Sequence, residues 1–167
     1  MNFEKFTIKS QEALQKSAEI ALAKQQQAIE PGHVLKAILE TDENVSNYLL
    51  KKLNVNGVVL NTKLDEIIHS YPHVSGQQPY LSSATNGILQ QAEKEIREFK
   101  DEYIAVEHLM LALLSSKDKV ASVMKDAGID RSTLIKAIKE LRGGSKVTDQ
   151  NAEAKYKSLE RYYQNLE

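Results

Sequence analysis

No cysteine occurs in this 167-residue chain. Disulfides and thiolate metal sites are therefore excluded, and a reducing compartment is mildly favoured. Neither charge sign dominates: 22 Lys and Arg face 23 Asp and Glu, a formal net charge of −1. A nucleic-acid binder would usually carry a basic face, so that class is not expected. The start, Met-Asn-Phe-Glu-Lys-Phe, lacks a basic segment followed by an apolar one, so no signal peptide is expected. The longest nearly apolar run, Leu109–Leu114, falls far short of the about 20 residues that span a bilayer. These absences together read as a cytoplasmic chain with no membrane segment. What is present is globular in composition, with 41% hydrophobic and 27% charged residues. The length suffices for one core without staples.

The most informative feature is an internal echo. Residues 29–39 return as residues 104–114, with His33 answered by His108 at an offset of 108 − 33 = 75. Isoleucine, alanine and leucine recur at 29/104, 37/112 and 39/114. Downstream, Leu60, Leu64 and Ile67 answer Leu134, Ile138 and Leu141. One helical unit is thus used twice, about 3–70 and about 79–142.

Within each unit the apolar spacing predicts four helices. Leu14, Ala18, Ala21 and Leu22 share one face of a helix over 7–26, with Thr7 at its N-cap. Glu30-Pro31 opens the second helix, proline being favoured at the first helical position. Asp42 and Asn56 cap helices over 43–53 and 57–69. Residues 70–80, with two prolines and a glycine, form the loop between repeats. Ser82 or Ser83 then caps a long helix carrying Ile88, Leu89, Ala92 and Ile96. The 105–115 helix is apolar almost all round and should be central. A helix over 118–127 ends at Gly128, and Asp130 caps a last one that Gly143-Gly144 stops. The expected fold is all-α: eight helices as two tandem four-helix repeats in a monomeric domain, 1–144. A polar linker, 145–151, would lead to a helical tail over 152–167. Its stripe of Tyr156, Leu159, Tyr163 and Leu166 finds no evident partner in the repeats, so the tail should be mobile or weakly docked.

Catalytic signatures are missing. There is no Gly-x-x-x-x-Gly-Lys-Ser/Thr phosphate loop, no Gly-x-Gly-x-x-Gly and no His-Glu-x-x-His, and no serine, threonine or lysine sits in a nucleophile elbow. His33 and His108 could be a symmetry-related metal pair, or two imidazoles that each bond a nearby backbone or side-chain group. His69 and His73 have ligand spacing, but Pro72 between them should break the helix. The acidic residues of 93–102 alternate with Lys94, Arg97 and Lys100 and read as a solvated face. The residues alone point to a non-enzymatic binding or adaptor module.

Phe6-Thr7, Ala13-Leu14, Ile29-Glu30-Pro31-Gly32-His33-Val34-Leu35, Arg142-Gly143-Gly144 and above all Val147-Thr148-Asp149-Gln150-Asn151-Ala152-Glu153 resemble the N-terminal domains of the ClpB disaggregases. The last stretch favours ClpB over the related ClpA and ClpC unfoldases. The resemblance implies a substrate-recognition domain for unfolded or aggregated polypeptide. It would belong to a hexameric AAA+ ATPase that works with the DnaK system, with residues 145–167 leading to the first ATPase module. ATP and magnesium would serve those downstream modules, and this segment would hold no cofactor. It further implies that Thr7, Asp101 and Glu107 take part in aggregate recognition. The family's apolar substrate groove falls on Gln91, Glu95 and His108, all polar here. Two other readings stay open: an adaptor-docking domain of a ClpA- or ClpC-type unfoldase, and a small hydrolase on a helical scaffold. Without a phosphate loop, calorimetric titration of this chain with ATP should show neither binding at micromolar concentration nor hydrolysis.

Overall fold

Six of the helices start at a side chain that takes up an orphan first-turn amide. In the computed structural model, which describes residues 3–74, 76, 78–156 and 159, Thr7 accepts from the Ser10 N–H at 3.2 Å. It caps α1 (Ile8–Ala23). Asp42 caps α3 (Glu43–Lys52) and Asn56 caps α4 (Gly57–His69). Ser82, Asp118 and Asp130 cap α5 (Ser83–Phe99), α7 (Lys119–Asp126) and α8 (Arg131–Arg142). The other two, α2 (Pro31–Thr41) and α6 (Val106–Leu114), begin differently and are treated below. Among the described residues there are thus eight α-helices, two sets of four, as the repeat implies. Each boundary lies within three residues of the sequence reading. The last stops at Gly143, whose φ of +58° supplies the left-handed terminator.

The two repeats interlock. Within each, the first helix packs on the second, α1 on α2 and α5 on α6. Across them, α3 lies on α8 and α4 on α7, so the rear helices of one unit close the core of the other. Every residue of α6 from Val106 to Leu114 is buried, as its all-round apolar pattern requires.

One feature the sequence did not disclose is a pair of parallel bridges. The strands β1 (Ala28–Ile29) and β2 (Tyr80–Leu81) pair in parallel, and Phe6 bridges Ile104 in the same sense. Phe6 and Leu81, like Ile29 and Ile104, are repeat equivalents, so the two bridges are one contact made reciprocally. The hydrogen bonds match: Thr7 N–H to Ile104 O at 3.0 Å, Ser82 N–H to Ile29 O at 3.2 Å. Two-residue strands are too short to show alternation, which is why the pattern hid them.

The tail departs from expectation. Val147, Ala152, Glu153, Tyr156 and Leu159 are all buried. Two of the four stripe residues, Tyr156 and Leu159, therefore do have partners in the repeats. Residues 152–155 form a short 3₁₀ turn rather than the start of an α-helix. Tyr163 and Leu166 lie outside the described residues. Because Leu111 is fully buried in α6, Leu111→Ala should cost about 2–5 kcal/mol in urea denaturation. A loss below about 0.5 kcal/mol would mean an exposed site.

Candidate functional site

The residues singled out by resemblance divide into two groups, and the structure places them apart. Thr7, Asp101, Glu107 and His108 meet in one buried polar cluster. Gln91 and Glu95 lie on α5, Gln91 at the wall of a surface cavity and Glu95 buried behind it.

The cluster begins with the start of α6. His108, at the third position of that helix, turns back so that its Nδ1 accepts the N–H of Ala105 at 2.8 Å. An acceptor at Nδ1 puts the proton on Nε2, which donates to Asp101 Oδ2 at 2.7 Å. In the first repeat His33 does the same: its Nδ1 accepts from Glu30 N–H at 2.9 Å, and its Nε2 faces Gln26 Oε1 at 2.7 Å. Both ring nitrogens of each histidine are engaged, the bonding alternative rather than the metal one. Among the described residues no three His, Asp or Glu side chains are placed to share a metal ion. His69 ends α4, so His73 lies beyond that helix. Burial, helped by Lys24, lowers the His33 pKa to about 4, so it stays neutral in the folded protein.

The second repeat replaces neutral groups with charged ones. Asp101 stands where the first repeat has Gln26, and Glu107 where it has Gly32. At the downstream offset of 142 − 68 = 74, Arg142 stands where it has Ile68. The Arg142 guanidinium donates to Asp101 Oδ2 at 2.8 Å and to Glu107 Oε2 at 3.0 Å, and lies 5.0 Å from the centre of the Phe99 ring. Burial alone would raise Asp101. Hydrogen bonds from His108 and the Val147 N–H, with the Arg142 charge, outweigh it and hold the carboxyl below its usual range.

The tail closes this cluster. Tyr156 donates its hydroxyl to Glu107 Oε2 at 2.6 Å. The Thr7 hydroxyl donates to Glu153 Oε2 at 2.6 Å, and the Val106 N–H reaches the same oxygen at 3.3 Å. The Ile8 N–H, an orphan of the first turn of α1, donates to Gln150 O at 2.9 Å. Thr7 and Glu107 are each 0% exposed, and the side chains of Asp101 and His108 are equally inaccessible. Thr7, Asp101 and Glu107, which the resemblance associates with aggregate recognition, thus lie beneath Val147, Gln150, Glu153 and Tyr156 rather than at the surface. Arg142, Glu153 and Tyr156 are the residues the sequence reading missed. The charged changes at 101, 107 and 142 between the two repeats were the available signal.

The second location is a cavity of about 490 Å³ between α5 and the end of α6. Ala84, Gly87, Ile88 and Ala112 give it an apolar floor, with Ser115 to Asp118 on its far side. Gln91 and Ser115 on its wall belong to a linked polar set that continues behind them. Gln91 donates to Glu95 Oε2 at 3.0 Å, and Arg131 grips Glu95 with two bonds of 2.7 Å and reaches Ser115 Oγ at 3.1 Å. Burial would push Glu95 up, but the bonds from Arg131 and Gln91 prevail and its pKa is lowered. Glu95 is buried and its charge spent on Arg131, so of the three groove positions only Gln91 faces the opening. His108 belongs to the other cluster.

Residues 5–127 match the model of the Clp repeat N-terminal domain. The chain belongs to that family. It is 46% identical over 166 residues to a chaperone protein ClpB of Bacteroides thetaiotaomicron, covering 99% of this chain and 19% of that protein. The chain thus spans about a fifth of the length of the curated relatives it matches. Its fold is that of the Hsp104 N-terminal domain from Candida albicans, with a TM-score of 0.78, 23% identity, and coverage of 90% of this chain and 99% of that one. The ClpV N-domain in complex with a VipB peptide is also similar, with a TM-score of 0.66, 20% identity and coverage of 81% and 85%. No described helix of this Clp N-domain is long and apolar enough to cross a membrane.

Removing the guanidinium while leaving its carboxylates buried should be costly. Arg142→Ala should lose about 3–5 kcal/mol in urea denaturation. The triple change Asp101→Asn, Glu107→Gln, Arg142→Met should recover much of that loss.

Proposed function

We propose that this Clp N-domain recognises unfolded or aggregated polypeptide for an ATP-dependent disaggregase of the ClpB type. In the full-length protein, ATP and magnesium would serve AAA+ modules outside this segment, the assembly would be hexameric and cytoplasmic, and the threaded chain would be refolded with the DnaK system. The segment itself would be monomeric and non-catalytic, with no cofactor, nucleic acid or membrane among its partners. The likeness to ClpB over nearly the whole chain supports this reading, as does the peptide held by the related ClpV N-domain.

The observation that carries the polypeptide site is the α5–α6 cavity. Gly87, in the middle of α5, would be disfavoured there on propensity alone by about 1 kcal/mol relative to Ala. A Cβ at this position would meet nothing within 4 Å, so the backbone is bare where a bound segment would lie. An apolar floor with Gln91, Lys117 and Asp118 at its edges suits an extended segment bound through both side chains and amides. In this reading Thr7, Asp101, Glu107 and His108 act indirectly, by holding the tail and the start of α6 in place.

A second reading, docking of a folded adaptor as in ClpA- or ClpC-type unfoldases, is favoured by Val58 and Val59. They stand adjacent at the start of α4, 76% and 46% exposed. Chemical-shift mapping with an unfolded model protein separates the two. The polypeptide reading expects shifts at Gly87, Gln91, Ala112 and Ser115–Asp118, with a Kd on the order of micromolar or weaker, because several domains on one ring add their effective concentrations. Gly87→Phe should fill the cavity and abolish those shifts with thermal stability retained. Unfolded protein leaving the cavity untouched, with a folded adaptor shifting the Val58 region, would favour the adaptor.

A further inference from the structure

We propose that the segment Val147–Tyr156 is a proton-coupled strap, which seats over the Thr7–Glu107–Arg142 cluster with a proton on Glu153 and is loosened when that proton leaves. The proposal concerns docking within the chain and does not rest on the polypeptide-binding reading.

Seating the strap brings a carboxylate into a place already rich in them. Glu153 is 3% exposed and Glu107 0%, and each has one oxygen, Oε1, with no hydrogen-bond partner among the described residues. Asp42, at the start of α3, is 2% exposed and likewise has an unpartnered oxygen, Oδ2. Asp42 and Glu153 both line one small cavity of about 190 Å³, together with Lys9 and Leu159. The groups around Glu153 come from several packed elements. From α1 come the Thr7 cap and Lys9 at the rim, and from α3 the Asp42 carboxylate. From α6 come Glu107 and the Val106 N–H. Arg142 on α8 is committed to Glu107 and Asp101, and Tyr156 on the strap itself to Glu107. With Glu153 itself, Asp42 and Glu107 make three carboxyl groups against Lys9 and Arg142, and the buried cation is already engaged. A carboxylic acid is the form of Glu153 that such surroundings accept.

The electrostatic direction agrees. Burial first, then the nearby Glu107 charge, push Glu153 up to about 8, against the opposing pull of the Thr7 and Val106 hydrogen bonds. Asp42 is raised to about 6, chiefly by burial, with Glu107 adding to it. Released into water, Glu153 returns to the ordinary glutamate value of 4.5. The docked state therefore holds a proton that the free state gives up between these two values. Docking is strongest below the lower value and weakens by up to about tenfold per pH unit as pH rises through the window, levelling above the upper one.

The backbone supplies reporters. The Ile8 N–H is bonded to Gln150 O, and the Glu102 N–H to Val147 O at 2.8 Å. Hydrogen exchange of these two amides, corrected for intrinsic rate, should show their protection falling by up to tenfold per pH unit between about pH 5 and 8. Leu111 in α6 should stay protected, which separates strap release from global unfolding. In Glu153→Gln, a neutral isostere, the two reporters should lose that slope. Protection independent of pH in the parent, or the same slope in Glu153→Gln, would overturn the proposal. Should the variant fail to seat its strap, the carboxyl ¹³C titration of Glu153 in the parent decides: an alkaline midpoint supports the strap, and one near 4.5 overturns it.

Discussion

A helix whose first turn is buried has no water there to take up its free amides, and that constraint organises this domain. α2 and α6 are the central helices, and neither begins with an ordinary Ser, Asp or Asn cap. A histidine at the third helical position bends back to take the amide at the helix start instead. This fixes the imidazole tautomer and requires an acceptor for the other ring nitrogen. In the first repeat Gln26 meets that need, and in the second Asp101 does. The residues before both acceptors, Gln25 and Lys100, adopt positive φ near 57°, so the chain turns the same way to present them. Much of the correspondence between the repeats reduces to this one demand.

The difference between the repeats follows from how it is met. A neutral amide beside His33 needs nothing further, and Gln26 spends its other end on the Ile68 carbonyl at 2.6 Å. A carboxylate beside His108 must be balanced. Arg142 balances it, and being large and multiply donating it also gathers Glu107. The charged set then needs a cover, which the strap supplies with Glu153, Tyr156 and its own backbone. Gly32 shows the same logic from the other side: a Cβ there would come within 2.6 Å of the Tyr71 hydroxyl, so the first repeat closes over its histidine with a tyrosine and has no room for a glutamate.

Much of this was legible in the sequence because it is local. Helix spans follow from apolar spacing and caps from Asp42, Asn56, Ser82 and Asp130, all within a few residues of what they act on. The bonding of His33 and His108 was legible for the same reason. The strap was not, because Glu153 meets Thr7 across 146 residues and no periodicity reports such a meeting. Tyr156 and Leu159 were read as part of an apolar stripe, but the residues that receive them come from several helices far apart in sequence. The two-residue strands carried too little sequence to signal anything. Of the candidate site, positions 91 and 95 could be placed on one helix face by spacing alone. That position 108 belongs elsewhere depended on the partners it finds.

The strap carries a consequence for the order in which the molecule is made. Within this segment a ribosome delivers α1 ahead of the other helices, yet the Ile8 amide and the Thr7 hydroxyl find their partners in residues 150 and 153. Phe6 likewise waits for Ile104. α1 is therefore completed late, and until the strap has appeared its Ile8 amide must rely on solvent. Native closure of the domain is in this sense a signal that translation has passed the strap.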